Sequence, residues 1–326
     1  MKNKCFITIL LNVVFCALAL AEPFWNMGAF DWSEAEVSYS GVLATKSFST
    51  LDPRPLRVHA ARLSAEKVSA EQTPKDPDWG KPMPDFPSLN IATRRQTTRE
   101  FLASLMEKYG KEKTFVLACN TSPWSPFSPK IPHKYANFSG MVATGGEVVS
   151  RGGARAEDYP IFFLDKKGGY GIKVPSAGED LSVCKLAAFA FGTLLENGAL
   201  FDELEKKPYF ARRPSHIKRK NPLIAIGFDA KKKYIFILAI EGRMKGVSEG
   251  VDAMEMARAM RFFGASDAVL MDGGGSTTLL VVDEKTRGVK KLTRHGRRDP
   301  ERTVALNLAF YLKGGAGEKD VKNESN

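Results

Sequence analysis

A single α+β domain of mixed, largely antiparallel sheets flanked by a few helices is the fold class that this sequence predicts. Three observations carry that reading. Short apolar runs of strand length recur between residues 55 and 313. Two stretches carry the 3.6-residue period of an amphipathic helix, each with a capping residue before it and a glycine after it. Proline and glycine punctuate the intervals, and no internal repeat turns the pattern into a solenoid or propeller. The 326 residues are enough for one large core, with or without a small appendage.

Residues 1–21 read as a signal peptide. Lys2 and Lys4 form a positive start, Phe6 to Leu20 an apolar stretch, and Ala19-Leu20-Ala21 a small-x-small cleavage pattern. The stretch is shorter than the roughly 18–20 residues that span a bilayer. Cys16 follows Phe15, not a small residue, which argues against a lipoprotein. The expected product is exported, periplasmic or secreted, with no membrane span after cleavage. Residues 22–54 show no clear period and read as an N-terminal extension.

The domain proper is expected over 55–313. Leu56 to Leu63 alternates like a first strand. Residues 71–88 hold five prolines and read as a loop. Thr97 or Thr98 caps a helix whose apolar face is Phe101, Leu102, Leu105, Met106 and Tyr109, stopped by Gly110. Phe115 to Asn120 is a strand, followed by a stiff loop with Pro123, Pro126, Pro129, Pro132, Trp124 and Phe127. Residues 140–198 give short strands and turns, and 202–220 a charged connection. Tyr234 to Ile240 is a strong strand ending in Glu241-Gly242-Arg243. Ala253, Met256, Ala257, Met260 and Phe263 form the face of a second helix stopped by Gly264, and Ser248 ahead of it could cap it or contact a ligand. Leu279 to Val282 and Val304 to Leu312 are the last strands. Residues 314–326 form a polar tail expected to be disordered.

The formal net charge is +11, with basic clusters at Arg212-Arg213, Lys218-Arg219-Lys220, Lys231-Lys232-Lys233, Lys290-Lys291 and Arg294 to Arg298. Such a field favours anionic partners. No nucleic-acid-binding motif accompanies it, so nucleic acid is not expected. Without the leader, Cys119 and Cys184 remain; an oxidising compartment would permit pairing, but spacing does not decide it. Cys119 has no histidine arrangement to activate it and reads as buried and structural. The histidines at 59, 133, 216 and 295 lack ligand spacing, so no zinc site is visible.

The most informative stretch is Ala268-Val269-Leu270-Met271-Asp272-Gly273-Gly274-Gly275-Ser276-Thr277-Thr278. A buried strand ends abruptly in a carboxylate, three glycines and three hydroxyls. Glycines bring bare backbone against a ligand, although a plain Asx-type turn would use the same residues. No Gly-Lys-Ser/Thr follows, so this is not a P-loop, nor is it G-x-G-x-x-G.

In order and spacing, Ile224 to Asp229, Glu241-Gly242-Arg243, Ser248-Glu249-Gly250, Glu255-Met256-Ala257, Gly264 to Ala268, Asp272 to Thr277 and Glu301-Arg302 resemble the phosphodiester glycosidase family. Weaker likeness extends back through Leu194 to Gly198, Gly140 to Val149 and Phe115 to Asn120. Several positions depart from the family pattern. Leu223 stands where the family has Arg, Glu241 where it has Asp, and Thr121 where it has Gly. Leu306 stands where it has Asn, with Asn307 one step late.

The resemblance implies cleavage of a glycosidic or sugar-1-phosphodiester bond. Breaking a sugar C1–O bond builds positive charge on the ring, which carboxylates stabilise. The expected catalytic residues are Asp272, Glu301 and Glu241. Arg243 and Arg302 are expected as anion clamps. Asn120, Ser248, Ser276, Thr277 and the N–H groups of Gly273, Gly274 and Gly275 are expected to bind substrate. No cofactor is required, although Asp272 with backbone carbonyls is compatible with a single divalent cation such as calcium. The expected partner is a carbohydrate or sugar phosphate, acidic glycans included. Because Leu223 removes a family arginine, a non-catalytic exported glycan-binding protein is the rival reading.

Overall fold

A computed structural model describes residues 23–128, 131–154, 156–176, 178–200, 211, 217–294 and 300–314. The predicted signal peptide, most of the charged connection, most of the Arg294 to Arg298 cluster and the polar tail beyond Gly314 lie outside the described residues, as do His216 and His295.

The domain is sheet-rich α+β. An eight-stranded antiparallel sheet runs, from edge to edge, Glu36–Ser38, Leu43–Thr50, Leu56–Ser64, Tyr234–Ile240, Leu223–Phe228, Asp267–Leu270, Gly192–Glu196 and Ala199–Leu200. A second, five-stranded sheet centres on Cys184–Phe189, flanked by Met141–Thr144 and Ile161–Asp165. A third, also five-stranded, centres on Phe115–Asn120 between Leu279–Val282 and Asn307–Leu312. The central core lies where the three meet: Ile224, Ile226 and Ile237 from the large sheet, Phe162 and Leu186 from the second, Leu117, Leu279 and Phe310 from the third.

Two α-helices cover outer faces among the described residues. Helix α1 (Thr98–Tyr109) starts with a capping box in which Thr97 accepts from Glu100 N–H, and it lays Phe101, Leu102 and Leu105 on the third sheet. Helix α2 (Ala253–Phe262) covers the large sheet with Met256, Ala257 and Met260. Its cap is Asp252, paired with Glu255, and not Ser248. Gly264 follows at φ +101°, a backbone state that glycine adopts without strain.

The N-terminal extension is corrected by the structure. Leu43–Thr50 pairs along its whole length with Leu56–Ser64, and Phe24 and Trp25 are buried against the α2 side of the large sheet. The strand Leu-Ala-Thr-Lys-Ser-Phe-Ser-Thr has one exposed polar face and few large apolar residues, so its alternation is faint. Cys119 and Cys184 are buried and free. Cys119 sits in the middle of the third sheet, and burial pushes its thiol up to about 12, which removes it as a nucleophile.

One connection positions everything that follows. The chain leaves the large sheet after Leu270 and enters the third sheet at Leu279, so the Asp272 to Thr278 segment crosses the gap between sheets.

Candidate active site

The crossing segment floors a cavity of about 710 Å³. Asp272, Gly273, Gly274, Gly275 and Ser276 form one side, and Arg219, Arg243 and Arg302 stand around them. Pro123 and five aromatic residues, Trp124, Phe127, Tyr159, Phe189 and Phe191, also line the cavity.

The turn is fixed from both sheets. Met271 N–H donates to Ile224 O at 3.0 Å and Gly274 N–H to Pro222 O at 2.7 Å, which ties it to the large sheet. Asp272 N–H donates to Thr121 O at 2.7 Å on the third-sheet side. Asn120, fully buried, spans the turn: its Nδ2 donates to Asp272 O at 2.7 Å and its Oδ1 accepts from Thr278 N–H at 2.8 Å. Asn120 therefore acts behind the cavity wall, not in it. Its place at the end of a central strand, with every neighbour buried, explains the change of role.

The three glycines answer different demands: at Gly273 a Cβ would lie 2.8 Å from Pro222 O, and at Gly274 and Gly275 it would displace an arginine. Gly274 adopts φ +65°. A Cβ on Gly275 would lie 2.5 Å from an Arg302 Nη2, and one on Gly274 would lie 2.9 Å from Arg243 Nη2. Both guanidiniums thus rest on the bare turn. Of the amides expected to cradle an anion, Gly274 N–H is taken by Pro222 O and Gly273 N–H faces the Asp272 carboxyl; further along, Ser276 and Thr277 N–H bond to Gly273 O and Gly274 O.

Asp272 is half-buried, and desolvation raises its carboxyl from the usual 3.8 to about 6. The Ser276 hydroxyl, Arg302, the Gly273 N–H and Arg243 pull the other way. Ser276 Oγ is buried and falls short of hydrogen-bond geometry with any protein group. Arg243 is held by Asn221 Oδ1, which accepts from Nε at 3.1 Å and Nη2 at 2.9 Å. Burial and the nearby Arg219 and Arg302 lower its affinity for a proton, with Asp272 opposing. Among the described residues, none of these three arginines forms a salt bridge to a carboxylate within 4 Å. Three cations facing one carboxylate make a site for an anion.

The other expected carboxylates lie elsewhere. Glu301 pairs with Arg99 at 3.2 Å and does not reach the cavity. Successive side chains of extended backbone diverge, so Arg302 turns inward and Glu301 outward. Glu241 is buried, bonded to His59 Nε2 at 3.0 Å and accepting from Arg294 N–H at 2.8 Å; His59 in turn meets Ser47 Oγ at 2.9 Å. Arg243, two residues on and past the strand end at Ile240, adopts φ +62° and takes the cavity side. Ser248 is buried, donates to Glu241 O at 2.7 Å and accepts from Arg57 N–H at 3.0 Å. Thr277 is buried and does not line the cavity. Of the sequence-predicted residues, Asp272, Gly273, Gly274, Gly275, Ser276, Arg243 and Arg302 converge. Glu241, Glu301, Ser248, Asn120 and Thr277 do not line the cavity.

Three contributors escape sequence reasoning. Arg219 sits in a Lys-Arg-Lys run that the sequence marks only as one of several basic clusters favouring anionic partners. Asn221 shows no motif. Arg95 lies behind Trp124 and reveals itself only through contacts described below.

A family model described as phosphodiester glycosidase matches residues 127–311, more than half of the chain. No curated protein matches in sequence. Among solved structures, the chain is similar to the zebrafish N-acetylglucosamine-1-phosphodiester alpha-N-acetylglucosaminidase catalytic domain, auto-inhibited by its pro-peptide. The TM-score is 0.58 at 15% identity, over 84% of this chain and 86% of that one. It is also similar to a hypothetical protein from Synechocystis, with a TM-score of 0.51 at 11% identity, over 83% of this chain and 62% of that one. At such identities these likenesses speak for the fold.

Proposed function

The chain belongs to the phosphodiester glycosidase family, and from that premise we propose that it hydrolyses the bond between a sugar C1 and a phosphodiester oxygen. The observation that carries this reading is the ratio of charges. Among the described residues the cavity wall holds one carboxylate, Asp272, against three guanidiniums. An ordinary glycosidase needs two carboxyl groups, one of them to protonate a poor leaving group. A phosphate monoester leaves without that proton and needs its charge held instead, which Arg243 and Arg302 supply.

In this mechanism ionised Asp272 takes a proton from water as the water oxygen bonds to C1. The C1–O bond breaks, its electron pair stays on the phosphate oxygen, and the guanidiniums receive the phosphate monoester. A carboxyl near 6 is well matched to a base working around neutral pH. Ser276 Oγ, buried beside the Asp272 carboxyl, stabilises its ionised form. A carboxylate surrounded by guanidiniums suits an anion better than a calcium ion. The apolar leader with its small-x-small end supports export, so that the substrate would be met outside the cytoplasm.

The test uses mature protein on sugar-1-phosphodiesters, with N-acetylglucosamine 1-phosphodiesters first, and on nitrophenyl glycosides, beside Asp272→Asn. Turnover of the phosphodiester that the variant loses supports the proposal. Tight sugar-phosphate binding without turnover in either protein favours the exported binding protein.

A further inference from the structure

We propose that Phe127 and Trp124 form the subsite for the sugar ring, and that Arg95, outside the cavity, is the positioning residue that holds this subsite in register with the anion clamp. The proposal rests on the hydrolase reading above for the role of the sugar, and extends it to where the ring sits.

The observations form a closed circuit. The Arg95 guanidinium lies over the Trp124 ring, 4.2 Å from its centroid. Trp124 meets Phe127 edge-on at 5.8 Å. The Arg302 guanidinium lies over Phe127 at 5.2 Å. The next residue, Thr303, returns to Arg95: Nη2 donates to Thr303 O at 3.1 Å and to Thr303 Oγ1 at 2.8 Å. Arg95 Nη1 also donates to His133 O at 2.9 Å. One guanidinium thus backs the aromatic lip and clamps the backbone that carries the cation.

Phe127 is the telling member. It is 64% exposed, yet its ring is held at the cavity mouth and not left on a free loop. Ser125 and Asn137 exchange two backbone hydrogen bonds, at 2.9 and 2.7 Å, and Pro123 and Pro126 stiffen the chain on either side. Fixing a large apolar ring in water costs solvation free energy that a bound apolar surface recovers. The C–H faces of a pyranose offer such a surface, and a sugar 1-phosphate carries its anion one bond from the ring. The adjacency of Phe127 to Arg302 matches that spacing. The ligand class is therefore a pyranose with an anionic group on C1.

Binding is measured by calorimetry with inorganic phosphate and with the 1-phosphates of glucose, mannose and N-acetylglucosamine. Wild type is expected to bind at least one sugar phosphate tenfold or more tighter than inorganic phosphate. Phe127→Ala is expected to lose most of that preference while keeping its affinity for phosphate, and Phe127→Tyr to restore it. Arg95→Met is expected to erase the same preference with phosphate binding weakened less, a change of ratio that a merely structural role would not produce. Phe127 is exposed, so its variants test the subsite even if Arg95→Met does not fold. No preference in wild type, or an unchanged preference in Phe127→Ala, would overturn the proposal. The readout is binding, so absence of turnover would sink the hydrolase reading and leave the subsite standing.

Discussion

Replacing Asp272 by Asn separates catalysis from stability. Desolvation lifts the folded carboxyl from 3.8 to about 6. Between those values the folded protein keeps a proton that the unfolded chain releases, so stability falls as pH rises across the interval. Each pKa unit is worth about 1.4 kcal/mol, which makes the burden near 3 kcal/mol once pH exceeds 6. Asn carries no such burden. The variant should therefore match wild type near pH 3.5 and exceed it at pH 7.5, by roughly 6 °C at about 2 °C per kcal/mol for a chain of this size. Thermal unfolding from pH 3.5 to 8 measures the gap. In the same variant kcat should fall by about 10²–10⁴. Wild-type kcat/KM should rise with pH through about 6, because the base works ionised. A stability gap that does not change with pH would refute the desolvation argument, and kcat/KM flat across pH 6 would refute the base.

Other outcomes follow from the same geometry. Arg302→Met removes a cation that lowers the Asp272 pKa, so the acidic limb of kcat/KM should move to higher pH and KM should rise; a limb that stays in place denies the pairing. Asn120→Ala strands the Asp272 carbonyl and the Thr278 N–H, at a cost of about 2–4 kcal/mol in denaturant unfolding, and turnover should drop more than affinity. Leu223 lines the cavity beside Gly273; Leu223→Arg restores the family's cation and should raise phosphodiester turnover, and an unchanged rate rejects that account of the departure.

What the chain announces locally is largely what forms. Thr97 with Glu100, the Met256–Met260 face and the Phe115–Asn120 run act through neighbours a few residues away, so their periods and caps are legible before any fold is known. Asp272 and its glycines are legible for the same reason. Strand partners are less so: Leu43–Thr50 is recognisable mainly through the Leu56–Ser64 strand it pairs with. The direction of a side chain at a strand end is decided by which sheet closes over it. Glu301 sits one residue from a cavity arginine and Glu241 two, yet alternation turns Glu301 to Arg99, and Glu241 meets His59 because the chain leaves the strand after Ile240 and Arg243 adopts φ +62°.

The sequence by itself determined the family, the sheet-rich α+β plan, and a carboxylate followed by bare glycine backbone at a strand end. Only the tertiary structure decided that, among the described residues, one acid faces three arginines and that Arg95 joins Trp124 to Thr303, the latter 208 residues from Arg95. Propensity and periodicity are short-range, whereas a charge balance is a sum over elements that meet in space.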